Sequence, residues 1–275
     1  MKRLFFALWL LNSLALHAAA TPESEADKLV DQKSYQKALE IYQTLTPSSP
    51  EHQRVLDYKI NNAQWRAEAG SSSRDDTKIQ KAAAKLAEIA NKEPFDRIWA
   101  EANESLGDFN WARPDYRNWG GGWPYYQKAL DFWAGEPDST ESRQRYLRII
   151  WSATEDKDNY YGYYGNWLPV DILENAVKIA QSPDDQARAH YLLAMSLRNQ
   201  GGDPRQMRRV PQEFQAAIKL SKKTDWYDDA LFYYAQHLEY QGRLIFQNGY
   251  PQWQPDLIEA LKIYQKITAL RGWHQ

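Results

Sequence analysis

The sequence predicts an all-α protein: a right-handed α-solenoid of about six helix pairs, tetratricopeptide-like, with long loops inside the pairs. Three observations predict it. An alanine-centred apolar pattern with the period of a helix recurs six times. Clusters of glycine and proline cut the chain into helix-length pieces. No segment shows the strict apolar–polar alternation of a half-buried strand.

The repeat is read from its anchor alanines. Tyr35, Ala38, Leu39 and Tyr42 form the first copy, and Ile79, Ala82, Ala83 and Leu86 the second. Tyr126, Ala129, Leu130 and Trp133 are the third, followed by Leu173, Ala176, Val177 and Ala180. Phe214, Ala217, Ile218 and Ser221 are the fifth, with the last apolar site lost, and Leu257, Ala260, Leu261 and Tyr264 the sixth. Each set occupies positions i, i+3, i+4 and i+7, one face of a helix. The anchors lie 44, 47, 47, 41 and 43 residues apart. Repeats of this length are typical of stacked helical hairpins.

The helix pairs follow in order: 22–33 with 35–46, 51–69 with 76–91, 96–112 with 124–134, 139–154 with 170–181, 183–199 with 211–221, and 225–241 with 255–270. Thr21 precedes Pro22, a cap followed by proline at the first helical position. Ser182-Pro183-Asp184-Asp185 adds two carboxylates on the positive end of the helix dipole, and Thr224-Asp225 reads similarly. The first pair has tetratricopeptide spacing. In later pairs the turns Trp111–Pro124, Glu155–Pro169, Gln200–Pro211 and Gly242–Pro255 are longer. Stacked pairs would gather these turns along one edge, where binding loops are commonly held.

Residues 1–20 read as a signal peptide. Lys2 and Arg3 precede a mostly apolar run, and Ala18-Ala19-Ala20 offers a cleavage site before Thr21. The expected mature chain, 21–275, is one helical-repeat domain exported to the periplasm or cell envelope. Cleavage leaves 32 basic against 36 acidic side chains, a net charge of −4, which favours neither nucleic acid nor an anionic membrane. No later apolar run suits a membrane span. Cysteine is absent, which excludes disulfides, thiolate metal sites, a thiol nucleophile and a lipid anchor carried on an N-terminal cysteine.

Two aromatic loops are the candidate binding sites. One gathers Trp111, Arg113, Tyr116, Trp119 and Trp123 with Arg117. The other gathers Tyr160, Tyr161, Tyr163, Tyr164 and Trp167 with Gly162 and Gly165. Each is expected either to stack a sugar ring or a peptide, or to fold back as a satellite core with arginine on tryptophan. Arg205, Arg208 and Arg209 form a basic cluster that reads as a solvated turn. Catalysis finds no motif: His190 and His237 stand on helices without a partner at metal-ligand spacing, and no nucleophile elbow or phosphate loop occurs. Glu101, Glu104 and Asp108 pair carboxylates at helical spacing, a pattern that suits acid–base work but reads first as a solvated helix face. No metal or cofactor is expected.

Several stretches resemble the N-terminal helical-repeat region of bacterial alpha-2-macroglobulin family proteins. They are Trp99–Trp111 (WAEANESLGDFNW), Asn118–Gly135 (NWGGGWPYYQKALDFWAG), Tyr160–Ala180 (YYGYYGNWLPVDILENAVKIA), Ala189–Gly202 (AHYLLAMSLRNQGG) and Asp225–Gln236 (DWYDDALFYYAQ). The resemblance implies an envelope protein whose later domains bait, and in thioester-bearing members covalently trap, attacking proteases. This chain has no macroglobulin β-domains and no cysteine for a thioester. It is expected to be a fragment, a truncated relative or one partner of a split system, and no trapping residue carries over. The function class expected is a non-enzymatic scaffold for a protein partner: macroglobulin domains of the same longer protein, or a protease. The alternative is a periplasmic carbohydrate- or peptidoglycan-binding module using the aromatic loops.

Overall fold

The computed structural model describes residues 21–113, 117–154, 168–200, 203–220, 226–247 and 253–270. The expected signal peptide, Tyr116 and the aromatic stretch from Tyr160 to Trp167 lie outside them. The described residues are helical, with no strand. They divide into two compact units, one ending at Ala102 and one beginning at Asn103.

In the first unit, α1 (Pro22–Asp31) and α2 (Tyr35–Tyr42) form a short hairpin, followed by α3 (Pro50–Ala69) and α4 (Asp76–Ala90). Each helix packs on the next in the chain. The starts are chemically specified. Thr21 accepts from the Ser24 N–H at 3.2 Å, Ser49 from His52 at 3.1 Å, and Asp75 from Thr77 at 2.9 Å. Proline follows the cap in α1 and α3. The core of the first hairpin is Ala26, Ala38, Leu39 and Tyr42 with Ala63 of α3. Tyr42 donates to Asp27 at 2.6 Å, and Lys59 on α3 reaches Asp27 and Glu23. Burial and the Asp27 carboxylate push the Tyr42 phenol far above its ordinary range. Lys59, with its hydrogen bond to Glu23, holds that carboxyl below its usual value against the burial that would raise it.

The unit boundary falls within α5 (Arg97–Trp111), whose first turn is capped by Asp96 accepting from the Trp99 N–H at 3.0 Å. The second unit continues through α6 (Trp119–Gly135), α7 (Thr140–Thr154), α8 (Val170–Ile179), α9 (Pro183–Asn199), the single turn α10 (Pro204–Met207), α11 (Val210–Leu220), α12 (Trp226–Gln247) and α13 (Trp253–Leu270). From α6 onward the long helices pack on their chain neighbours, and α9 also touches α12. Ser182 caps α9, accepting from the Asp185 N–H at 3.0 Å.

All six anchor alanines, at 38, 82, 129, 176, 217 and 260, are buried. Their small side chains let neighbouring helices approach, while Tyr42, Tyr126 and Phe214 fill the space beside them. Leu261 departs from the pattern at 57% exposure, because no described helix covers that side of α13.

Of the boundaries that differ from the sequence reading, two shorten the long turns. The turn read as Trp111–Pro124 is shorter, because α6 begins at Trp119 and carries Pro124 in its second turn. Asn118 Oδ1 accepts from the Gly121 N–H at 2.9 Å, starting the helix before the proline. α12 likewise runs through Gly242 to Gln247 rather than stopping before it.

Candidate functional site

The part of α5 that lies in the second unit comes together with α6 and α7 between Asn103 and Thr154. α5 is buried at every position from Glu101 to Phe109. Ser105 and Gly107 are small and permit close approach to this part of the helix. Gly107 faces the Tyr126 ring of α6 so closely that an added Cβ would lie 2.3 Å from Cδ1. Gly122 of α6 in turn sits against the Gly107 carbonyl, where a Cβ would fall at 3.3 Å. Glycine on both helices brings their backbones together.

The carboxylates of α5 therefore do not form a solvated face, and that reading is corrected. Glu104 and Asp108 are among the most deeply buried polar residues described. Glu104 accepts from Trp133 Nε1 at 2.6 Å through Oε1, and through Oε2 from Arg148 Nε at 3.0 Å and Arg145 at 3.4 Å. Asp108 Oδ1 accepts from Tyr126 and from Ser152, both at 2.8 Å, while Oδ2 pairs with Arg148 Nη1 at 3.0 Å. Each carboxylate oxygen thus has a donor, as burial demands. Burial opposes the Arg148 charge, but the neighbouring Glu104 and Asp108 outweigh it and hold the guanidinium well above its ordinary pKa. The Tyr126 hydroxyl is held far above the usual phenol range, first by burial and then by Asp108. Glu101 is also buried and pairs with Arg97 at 2.8 Å.

Beside this network lies the first predicted aromatic cluster. Trp111 is buried and donates Nε1 to the Ala153 carbonyl of α7 at 2.9 Å. It meets Trp119 edge-on at 5.0 Å, and Trp119 stacks on Trp123 at 5.3 Å with the planes 15° apart. Both of these indoles are half-buried, on the first turns of α6. Arg117 is exposed and lies over Trp111 at 5.7 Å. Arg113 is 5% exposed, with its guanidinium 4.7 Å from the Phe109 ring. The structure brings Trp111, Arg113, Trp119 and Trp123 to one end of the α5–α6–α7 group. Trp111 and Arg113 are buried there, Trp119 and Trp123 are half-buried, and Arg117 is exposed.

The partners of Glu104 and Asp108 were not legible as a site. The available signal was a helix carrying small residues on several sides around its acids, matched by Arg145 and Arg148 one turn apart. Further along, His190 Nδ1 lies 2.7 Å from Glu213, and Arg209 pairs with Glu174 at 2.6 Å. Arg209 is therefore held in an ion pair within the basic cluster. Asp228 and Asp229 stand in the first turn of α12, where they complement its dipole. A polar cleft of about 330 Å³ opens where the end of α6 meets α7 and α8, with Glu136, Arg143 and Lys178 in its lining. No group of His, Asp and Glu among the described residues is arranged to hold a metal ion. No helix among them is long and apolar enough to cross a membrane.

No family model, curated protein or solved structure matches this chain.

Proposed function

We propose that this chain is a non-enzymatic, exported helical-repeat scaffold that binds a protein partner at the aromatic edge of α5 and α6. The observation that carries the proposal is the Trp119–Trp123 pair. Its two indoles are stacked and half-buried, and the exposed Arg117 lies over the adjoining Trp111 ring. Tryptophan and arginine in this setting supply large contact area at small entropic cost and are the residue types most often found as binding anchors. Trp111, fixed to α7 through the Ala153 carbonyl, meets Trp119 edge-on and holds that end of the pair in place.

The non-enzymatic part rests on the acids nearest this edge. Glu104 and Asp108 have their oxygens occupied by arginine, tryptophan, tyrosine and serine donors. A general acid or base needs an oxygen within reach of substrate. The solenoid part rests on the buried anchor alanines and on the packing of α9 with both α11 and α12. Export rests on the first twenty residues. The resemblance to the alpha-2-macroglobulin family supports placing the chain as the helical-repeat module of a protease-inhibiting envelope system, with macroglobulin domains or a protease as the partner.

The test is affinity capture from the envelope extract of the host, comparing the mature chain with Trp119→Ala/Trp123→Ala. The expected result is one protein retained in stoichiometric amount by the wild type and lost by the variant, with both proteins equally helical by circular dichroism. Equal retention by the two would reject the aromatic edge. Retention of cell-wall glycan instead of protein would replace the reading with the carbohydrate one.

A further inference from the structure

A second surface lies on α11, α12 and α13. On α12, Tyr227, Leu231 and Tyr234 fall at i, i+4 and i+7 and form the floor of a groove of about 430 Å³. α11 forms one wall with Ile218 and Lys219, and α13 the other with Ile263 and Lys266. Gln215 ties the α11 wall to the floor by donating to the Tyr234 hydroxyl at 2.8 Å.

The charges along the groove are unequal. Lys266 Nζ stands 5.2 Å from the centre of the Tyr227 ring. Neither Lys266 nor Lys219 has a carboxylate at ion-pair distance among the described residues. Both are exposed. Lys262 pairs only loosely with Glu259, at 3.7 Å. Glu259, with Asp256 close enough to act on the Tyr234 hydroxyl, makes the opposite end acidic. An apolar floor thus runs from an acidic end to a cationic one, on a chain whose formal net charge is −2.

We infer that this groove binds an extended acidic segment of a partner protein. An apolar side chain of that segment rests on Tyr227, Leu231 and Ile263, and an adjacent carboxylate sits between Lys219 and Lys266. Charge complementarity selects this occupant. Two ammonium groups with no carboxylate partner among the described residues, beside an apolar strip, favour a carboxylate next to a hydrophobe, and the Glu259 end disfavours a uniformly anionic polymer laid along the whole groove. The inference is independent of the aromatic edge, which lies on other helices.

The test is selection of a random-peptide phage library on the immobilised full chain, followed by anisotropy titration of the enriched peptides. Enriched peptides should carry Asp or Glu next to Leu, Phe or Tyr. Lys219→Glu/Lys266→Glu should weaken them by about tenfold or more, and Lys219→Gln/Lys266→Gln by less. Both pairs alter exposed side chains, and circular dichroism checks that the helices persist. Trp119→Ala/Trp123→Ala should leave the titration unchanged. The inference is overturned if no peptide is enriched, if the enriched peptides lack acids, or if binding survives the lysine reversal. It is also overturned if the tryptophan variant abolishes binding, or if inorganic polyphosphate competes as well as the peptides do.

Discussion

Glu104 on α5 and Arg148 on α7 form an ion pair whose two halves sit in different surroundings. The carboxylate is 1% exposed, whereas 40% of the arginine side chain reaches the surface. Removing the acid strands the Trp133 N–H, which donates to Glu104 Oε1, and leaves Arg148 with Asp108 alone. Glu104→Ala is expected to cost about 3 kcal/mol, the low end for breaking a buried pair, because Arg148 can recover water. Glu104→Gln keeps an acceptor for Trp133 and should cost roughly half as much. Denaturant midpoints of the two variants check the ranking. An equal or reversed cost would show that Trp133 does not depend on the carboxylate side chain.

Gly107 is a packing residue. An added methyl would lie within 2.8 Å of three atoms of the Tyr126 ring, so the ring or the helix has to move. Tyr126 also donates to Asp108, and displacing it disturbs the acid network. Gly107→Ala is expected to destabilise by about 1–3 kcal/mol despite the better helix propensity of alanine. Tyr126→Ala makes room for the methyl. The double variant should therefore cost less than the sum of the two single changes. Strict additivity in thermal unfolding would place the Gly107 effect elsewhere.

These two sites mark where sequence reasoning stopped. The anchor alanines were legible because a small residue amid large ones at helical spacing has one main use, close helix packing, and all six are buried. The caps at Thr21 and Ser182 were legible because capping is local chemistry. The start of α6 was not. Gly120-Gly121-Gly122 before Pro124 reads as a turn, and it takes the Asn118 cap and the seating of Gly122 against Gly107, Asn110 and Trp111 to make those glycines helical. The acid network was missed for the same cause. Glu104 and Asp108 at i and i+4 look like a solvated face until α7 supplies arginines forty and more residues away. Long-range pairing of charges leaves little trace in local spacing.

The turn between α1 and α2 carries a separate prediction. Lys33 has φ 58°, in the left-handed region. The Lys33 N–H bonds the Val30 carbonyl at 2.9 Å and the Ser34 N–H bonds the Leu29 carbonyl at 2.8 Å, which closes the end of α1. Glycine takes this conformation without the crowding of a Cβ. The Lys33 side chain is exposed. Lys33→Gly should stabilise the first hairpin by about 0.5–1 kcal/mol, after allowing for the greater freedom of glycine in the unfolded chain. Hydrogen exchange of the α1 and α2 amides reads this directly. Faster exchange in the variant would contradict it.

His237 on α12 links stability to pH. It is 2% exposed, and its Nδ1 has no hydrogen-bond partner among the described residues. Burial first, and the nearby Arg198 charge second, depress its pKa from 6.5 to about 4. In the unfolded chain the imidazole takes up a proton as pH falls through 6.5, whereas in the folded chain it resists until about 4. The unfolded state therefore binds more protons across this window. Stability contributed by the neutral ring is fully present above pH 6.5 and drains away toward pH 4, by an expected 2–3 kcal/mol at about 1.4 kcal/mol per unit. Carboxyls held low in the fold, such as Glu23 and Asp96, act mainly below this range. His237→Leu should remove the slope between pH 6.5 and 4.5 while leaving the loss below pH 4 in place. The check is a pair of denaturant titrations at pH 7 and pH 4.5 for each protein. If the wild type and the variant lose equal stability between those two values, the ring is not buried in its neutral form.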